Sequence, residues 1–70
     1  MTVEEYRIKL GWPATELARR AGLSSRTIAR IENGEPVYAH TLGAVARVLS
    51  EAMGREIGID DLEGVKIAKR

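Results

Sequence analysis

The chain contains no cysteine and a single histidine among its 70 residues. Without cysteine there is neither a disulfide nor a thiolate metal site. His40 stands with no carboxylate at ligand spacing, so no metal is expected. One histidine in so small a domain supports no Ser-His-Asp arrangement, and the glycines form no phosphate-cradling pattern. Asp60 and Asp61 read as a helix start rather than as paired catalytic carboxylates. The expectation is a protein that is not an enzyme and carries no cofactor. Long apolar runs are also missing, since every one falls far short of the ~20 residues that span a bilayer. The opening MTVEEYRIKLG has no apolar run of signal length. A soluble, cytoplasmic protein with no membrane partner is expected, and a reducing compartment fits the missing cysteine.

Charge of one sign is not in excess. Eleven Lys and Arg face ten Asp and Glu, for a net +1. The distribution is uneven, however. Between Ala14 and Gly34 four arginines (Arg19, Arg20, Arg26 and Arg30) outnumber Glu16 and Glu32. Between Val48 and Gly64 only Arg55 faces Glu51, Glu56, Asp60, Asp61 and Glu63, after which Lys66, Lys69 and Arg70 follow. A nucleic-acid footprint is a local basic face of this kind, but ordinary mixed surface charge produces the same pattern.

A chain this short forms one domain and buries little apolar surface, so it needs tight helical packing or a partner. No repeat, low-complexity segment or linker divides it. Val3, Tyr6, Arg7 and Leu10 fall at helical spacing, with Thr2 as N-cap and Glu4 and Glu5 in the first turn. Gly11 ends that helix. Pro13 suits the start of a second helix running to about Ala21, with Leu17, Ala18 and Ala21 inward. Gly22 suits the left-handed conformation of a sharp turn. Leu23 plugs the turn, and Ser24 caps a third helix to about Glu32, stopped by Asn33-Gly34. That helix turns Thr27, Ile28 and Ile31 inward and leaves Ser25, Arg26, Ala29 and Arg30 outside. A loop from Glu35 to His40 is expected, then a fourth helix marked by Leu42, Val45, Ala46 and Leu49 to about Met53. His40 lies near the cap of that helix. Gly54 ends it, and Ile59 to Glu63 can form one further turn. The alternation Ile57/Ile59 and Val65/Ile67 suits short strands or an extended arm.

The informative stretch is ATELARRAGLSSRTIARIENG, residues 14–34. Two short helices joined by a tight turn cross steeply, so each corner position has a steric job. Ala18 keeps the crossing close, Gly22 makes the turn, and Leu17, Leu23, Ile28 and Ile31 fill the wedge. On these residues the chain resembles the Cro and phage-repressor type of helix-turn-helix protein, the XRE family, over about residues 3–53. The match is strongest from Glu16 to Gly34.

The resemblance implies an all-α fold, a compact four- to five-helix bundle with a short irregular or extended C-terminal tail. In these terms residues 1–64 form the DNA-binding domain, with a recognition helix at about 24–32, and residues 65–70 the tail. It also implies sequence-specific binding of double-stranded DNA by a transcriptional regulator of the repressor kind, working as a homodimer, with the third helix in the major groove. By position, Ser25, Arg26 and Arg30 match the base-reading surface, and Arg suits the O6/N7 edge of guanine. Ser24, Thr27 and Asn33 match positions that touch the DNA backbone. Arg19 is either a further backbone contact or plain surface charge, and the same holds for Arg20. Arg7 and Glu32 match a salt bridge between the first and third helices.

Two departures stand out. The usual cap Ser or Thr of the second helix is Pro13, and the Gln that follows in relatives is Ala14, which leaves only its backbone N–H for a phosphate. Trp12 replaces an aliphatic residue and reads as a hydrophobic cover over the first two helices. After the fourth helix, Ile59, Leu62, Val65 and Ile67 either support self-association or close the monomer core. The alternative function is an antitoxin or protein-binding module that engages a protein partner, a toxin or a co-regulator, on the same fold.

Overall fold

The computed structural model describes residues 1–69, so Arg70, the last residue of the expected tail, lies outside them. Four helices, α1 (Val3–Lys9), α2 (Ala14–Ala21), α3 (Ser25–Glu32) and α4 (Ala39–Met53), are joined by β1 (Pro36–Val37), a 3-10 turn (Ile59–Asp61) and β2 (Lys66–Ile67). Helix α1 starts with a reciprocal cap: Thr2 Oγ1 accepts from the Glu5 N–H at 3.1 Å, and Glu5 Oε1 accepts from the Thr2 N–H at 2.8 Å. Two donors that helix geometry leaves without partners are thereby satisfied. Its buried residues, Val3 and Tyr6, are one turn apart and face the bundle.

Helix α2 starts without a side-chain cap, because Pro13 has none to offer, but Pro13 sits extended at φ −70° and ψ 164° and directs the chain into the helix. Gly22 ends it at φ 71°, ψ 30°, in the left-handed region, where a Cβ would be strained. The Leu23 N–H then returns to the Ala18 carbonyl at 2.8 Å and closes the turn. Leu17, Ile28, Ile31, Leu42, Leu49, Val3 and Val45 are the largest fully buried side chains, so all four helices meet in one core. Burying each such side chain stabilises the fold by about 1.5–3 kcal/mol. No polar or charged residue shares that interior among the described residues.

The stretch expected as a loop from Glu35 to His40 is shorter and partly regular. Pro36 and Val37 form β1, Tyr38 is the N-cap of α4, and His40 is already in its first turn, stacked on Tyr38 with ring centroids 5.7 Å apart. The structure therefore adds a two-stranded sheet to the expected all-α bundle. β1 pairs in parallel with β2, Pro36 beside Lys66 and Val37 beside Ile67, and the Ala68 N–H donates to the Val37 carbonyl at 2.7 Å. Residues 65–68 of the expected tail are thus tied to the body.

The segment from Gly54 to Glu63 is fastened at two points. Ser50 Oγ accepts from the Ile57 N–H at 2.8 Å and lies 2.7 Å from the Ala46 carbonyl, which folds the chain back on α4. The Glu63 N–H donates to the Met1 carbonyl at 3.1 Å, beside a bridge between Thr2 and Glu63. Ile57 and Leu62 are buried as a result, at 3% and 4% exposure. Among the four residues weighed for self-association, Leu62 is therefore a monomer core residue. Ile59 and Val65 pack half-buried against that core, and only Ile67 is exposed. The physical reason is the pairing at both ends of the segment, which turns its apolar side chains inward.

Candidate nucleic-acid interface

The second helix of the corner, α3, is capped by Ser24, whose Oγ accepts from the Thr27 N–H at 3.1 Å and lies 3.0 Å from Thr27 Oγ1. The cap fixes where the helix begins and so which side chains face solvent. Ile28 and Ile31 are 0% and 1% exposed on the inner face. Ser25, Arg26, Ala29 and Arg30 are exposed on the outer face, with Asn33 exposed at its C-terminal end. Thr27 is half-buried beside the cap. Ala29 shares the surface with the candidate base-reading residues, although its side chain gave no chemical reason to single it out.

The two arginines of this face differ. Arg26 is exposed and, among the described residues, has no ion-pair partner. Arg30 is tied back: its Nε lies 3.4 Å from Glu35 Oε1, and its Nη2 donates to the Pro36 carbonyl at 3.4 Å. Sequence reasoning does not single out Glu35. The available signal was an acidic residue just past the glycine that stops a basic helix.

Helix α2 lines the neighbouring surface. The Ala14 N–H is one of the first-turn donors that have no acceptor inside a helix. Glu16 Oε2 accepts from both Arg19 Nη2 and Arg20 Nε at 2.6 Å. The bond from Arg19, then that from Arg20, holds the Glu16 carboxyl below the usual carboxylate range. Arg19 remains 69% exposed despite that bond. Arg20 also lies over Trp12, its guanidinium carbon 4.4 Å from the ring centroid, an arrangement favoured by the ring's negative face. Trp12 itself packs half-buried against the core and shares a cleft with Arg20 and with Val48 and Ala52 of α4. Its cover therefore extends to α4.

Behind the interface, Arg7 of α1 grips Glu32 of α3 with two bonds, Nε to Oε2 at 2.8 Å and Nη2 to Oε1 at 3.0 Å, while its Nη1 donates to the Trp12 carbonyl at 3.1 Å. The side chains are only 16% and 14% exposed. The hydrogen bond to Glu32 raises the Arg7 pKa against the opposing effect of burial. A two-pronged pair of this kind fixes direction as well as distance. It sets the C-terminal end of α3 against α1, so the outer face of α3 is presented by a rigid support. Among the described residues no cluster of three or more His, Asp or Glu is placed to hold a metal, and no helix is long and apolar enough to cross a membrane.

Two short helices joined at a left-handed glycine, with one face of the second left to solvent, form a helix-turn-helix unit. The helix-turn-helix family model matches residues 3–59, and the chain belongs to that family, of the Cro/phage-repressor type. The family is one of DNA-binding transcription regulators rather than enzymes. No curated protein and no solved structure matches the chain.

Proposed function

We propose that the chain is a sequence-specific regulator of the repressor kind that lays α3 in the major groove of duplex DNA. The observation that carries this reading is the division of α3 into a fully buried face, Ile28 and Ile31, and an exposed one bearing Ser25, Arg26 and Arg30. A helix fits the major groove, and there an arginine can donate two hydrogen bonds to the O6 and N7 of a guanine. Ser24, Thr27, Asn33, Arg19 and the Ala14 N–H serve the DNA backbone and set register. The protein acts as a homodimer on two half-sites about one helical turn apart. Of the C-terminal apolar residues that could serve a protein partner instead, Ile67 alone is exposed, and a single apolar side chain is ordinary surface.

Selection of binding sites from random duplexes at one fixed salt concentration tests the proposal. Enrichment of a guanine-containing, two-fold symmetric site is expected. A pool that stays random would overturn it.

A further inference from the structure

Arg26 and Arg30 stand one helical turn apart on the same face, yet only Arg30 is held by an acid. The backbone that carries this acid is firmly placed. The Glu35 N–H donates to the Arg30 carbonyl at 2.9 Å, just after Gly34, whose φ of 78° is open to glycine and strained for other residues. Pro36, whose carbonyl takes the second bond from Arg30, is paired with Lys66 across the sheet. The C-terminal strand therefore holds in place the turn that carries the acid.

We propose that Glu35 is a latch that holds Arg30 back from non-specific DNA, a role that rests on the reading of α3 as the DNA-contacting helix. A carboxylate and a phosphate diester offer a guanidinium the same kind of anionic oxygen, so Glu35 competes with backbone phosphates for Arg30 on similar terms. The latch holds Arg30 by two separate long contacts of 3.4 Å, whereas a guanine edge presents two fixed acceptors to which the guanidinium donates in parallel. Duplexes lacking a guanine within reach of Arg30 gain little from this arginine, whereas the matched site releases it.

Release is sterically easy. The pair is 51% and 49% exposed, and such pairs are weak in water. A cavity of about 310 Å³ bordered by Arg30, Thr27, Tyr38 and Thr41 gives the guanidinium room to move without repacking the core.

The test is a four-protein cycle of wild type, Glu35→Gln, Arg30→Ala and the double variant, each titrated with a random-sequence duplex at one low salt concentration. Glu35→Gln is expected to tighten binding roughly two- to fivefold in the wild-type background. In the Arg30→Ala background the same change is expected to tighten it by less than about 1.5-fold, because no latched guanidinium is left to free. Equal tightening in both backgrounds would make Glu35 a plain repulsive charge and overturn the latch. So would no tightening in either. The cycle needs no specific site, so failure of the base-reading assignment shows separately, as a random pool in the site selection.

Discussion

Between Ala14 and Gly34 the core side chains arrive by helical spacing, whereas between Gly54 and Lys69 Ile57 and Leu62 are drawn in by hydrogen bonds to distant parts of the chain. The corner is held from within. Leu17, Ala18, Ile28 and Ile31 pack against each other across a turn that Gly22 makes possible. The C-terminal segment is held from without, by Ser50, by the Met1 carbonyl and by β1. Local order built on helical packing gives a rigid face for recognition. Order borrowed from distant partners can be loosened one attachment at a time.

The largest effect expected is in the corner. Leu17→Ala or Ile28→Ala removes a fully buried side chain and is expected to cost about 2–5 kcal/mol in urea unfolding, a large share of a small domain's stability. Leu62→Ala is expected near the low end of that range, because its segment can settle into the space. An equal loss at Leu62 would break the comparison. Next in size is the Arg7–Glu32 pair. Glu32→Ala leaves a largely buried guanidinium without its two bonds and is expected to cost about 2–3 kcal/mol by the same measurement. No change there would mean that α3 is not held by this pair.

Ser50→Ala probes the borrowed order directly. A loss of about 1 kcal/mol is expected, with faster hydrogen exchange at the Ile57 amide and unchanged protection in α2 and α3. Uniform loss of protection would show that the segment and the corner open as one unit. The smallest effect concerns acid. Glu16 is held below its ordinary value of 4.5 by Arg19 and Arg20, so its contribution is present above that pH and fades as the pH falls through the lowered value. The midpoint of thermal unfolding is expected to fall less steeply below pH 4.5 in Glu16→Gln than in the wild type. Identical acid curves would contradict the assignment. The effect is small because all three side chains reach solvent.

The same difference explains what was legible in the sequence. Helical period, caps and stop signals mark α1, α2 and α3 to within about a residue, and they sort Ile28 and Ile31 from Arg26 and Arg30. Each of those signals is local. The strand pair was only half legible: alternation around Ile67 hinted at extended chain, but nothing near it names Pro36 and Val37 as partners some thirty positions earlier. The inward turn of Leu62 depends on the Met1–Glu63 attachment, which leaves no periodic trace. Glu35 escaped for another reason. Its relation to Arg30 depends on a turn geometry at Gly34, and side-chain charge alone does not reveal it.

The most direct test of the central claim, that the outer face of α3 reads bases, is the affinity of Arg26→Ala for a selected site and for a random duplex, measured at the same salt concentration. A loss of about 1–3 kcal/mol is expected on the selected site with relaxed base preference nearby, and a much smaller loss on the random duplex. An equal loss on both would make Arg26 a phosphate contact and contradict the claim.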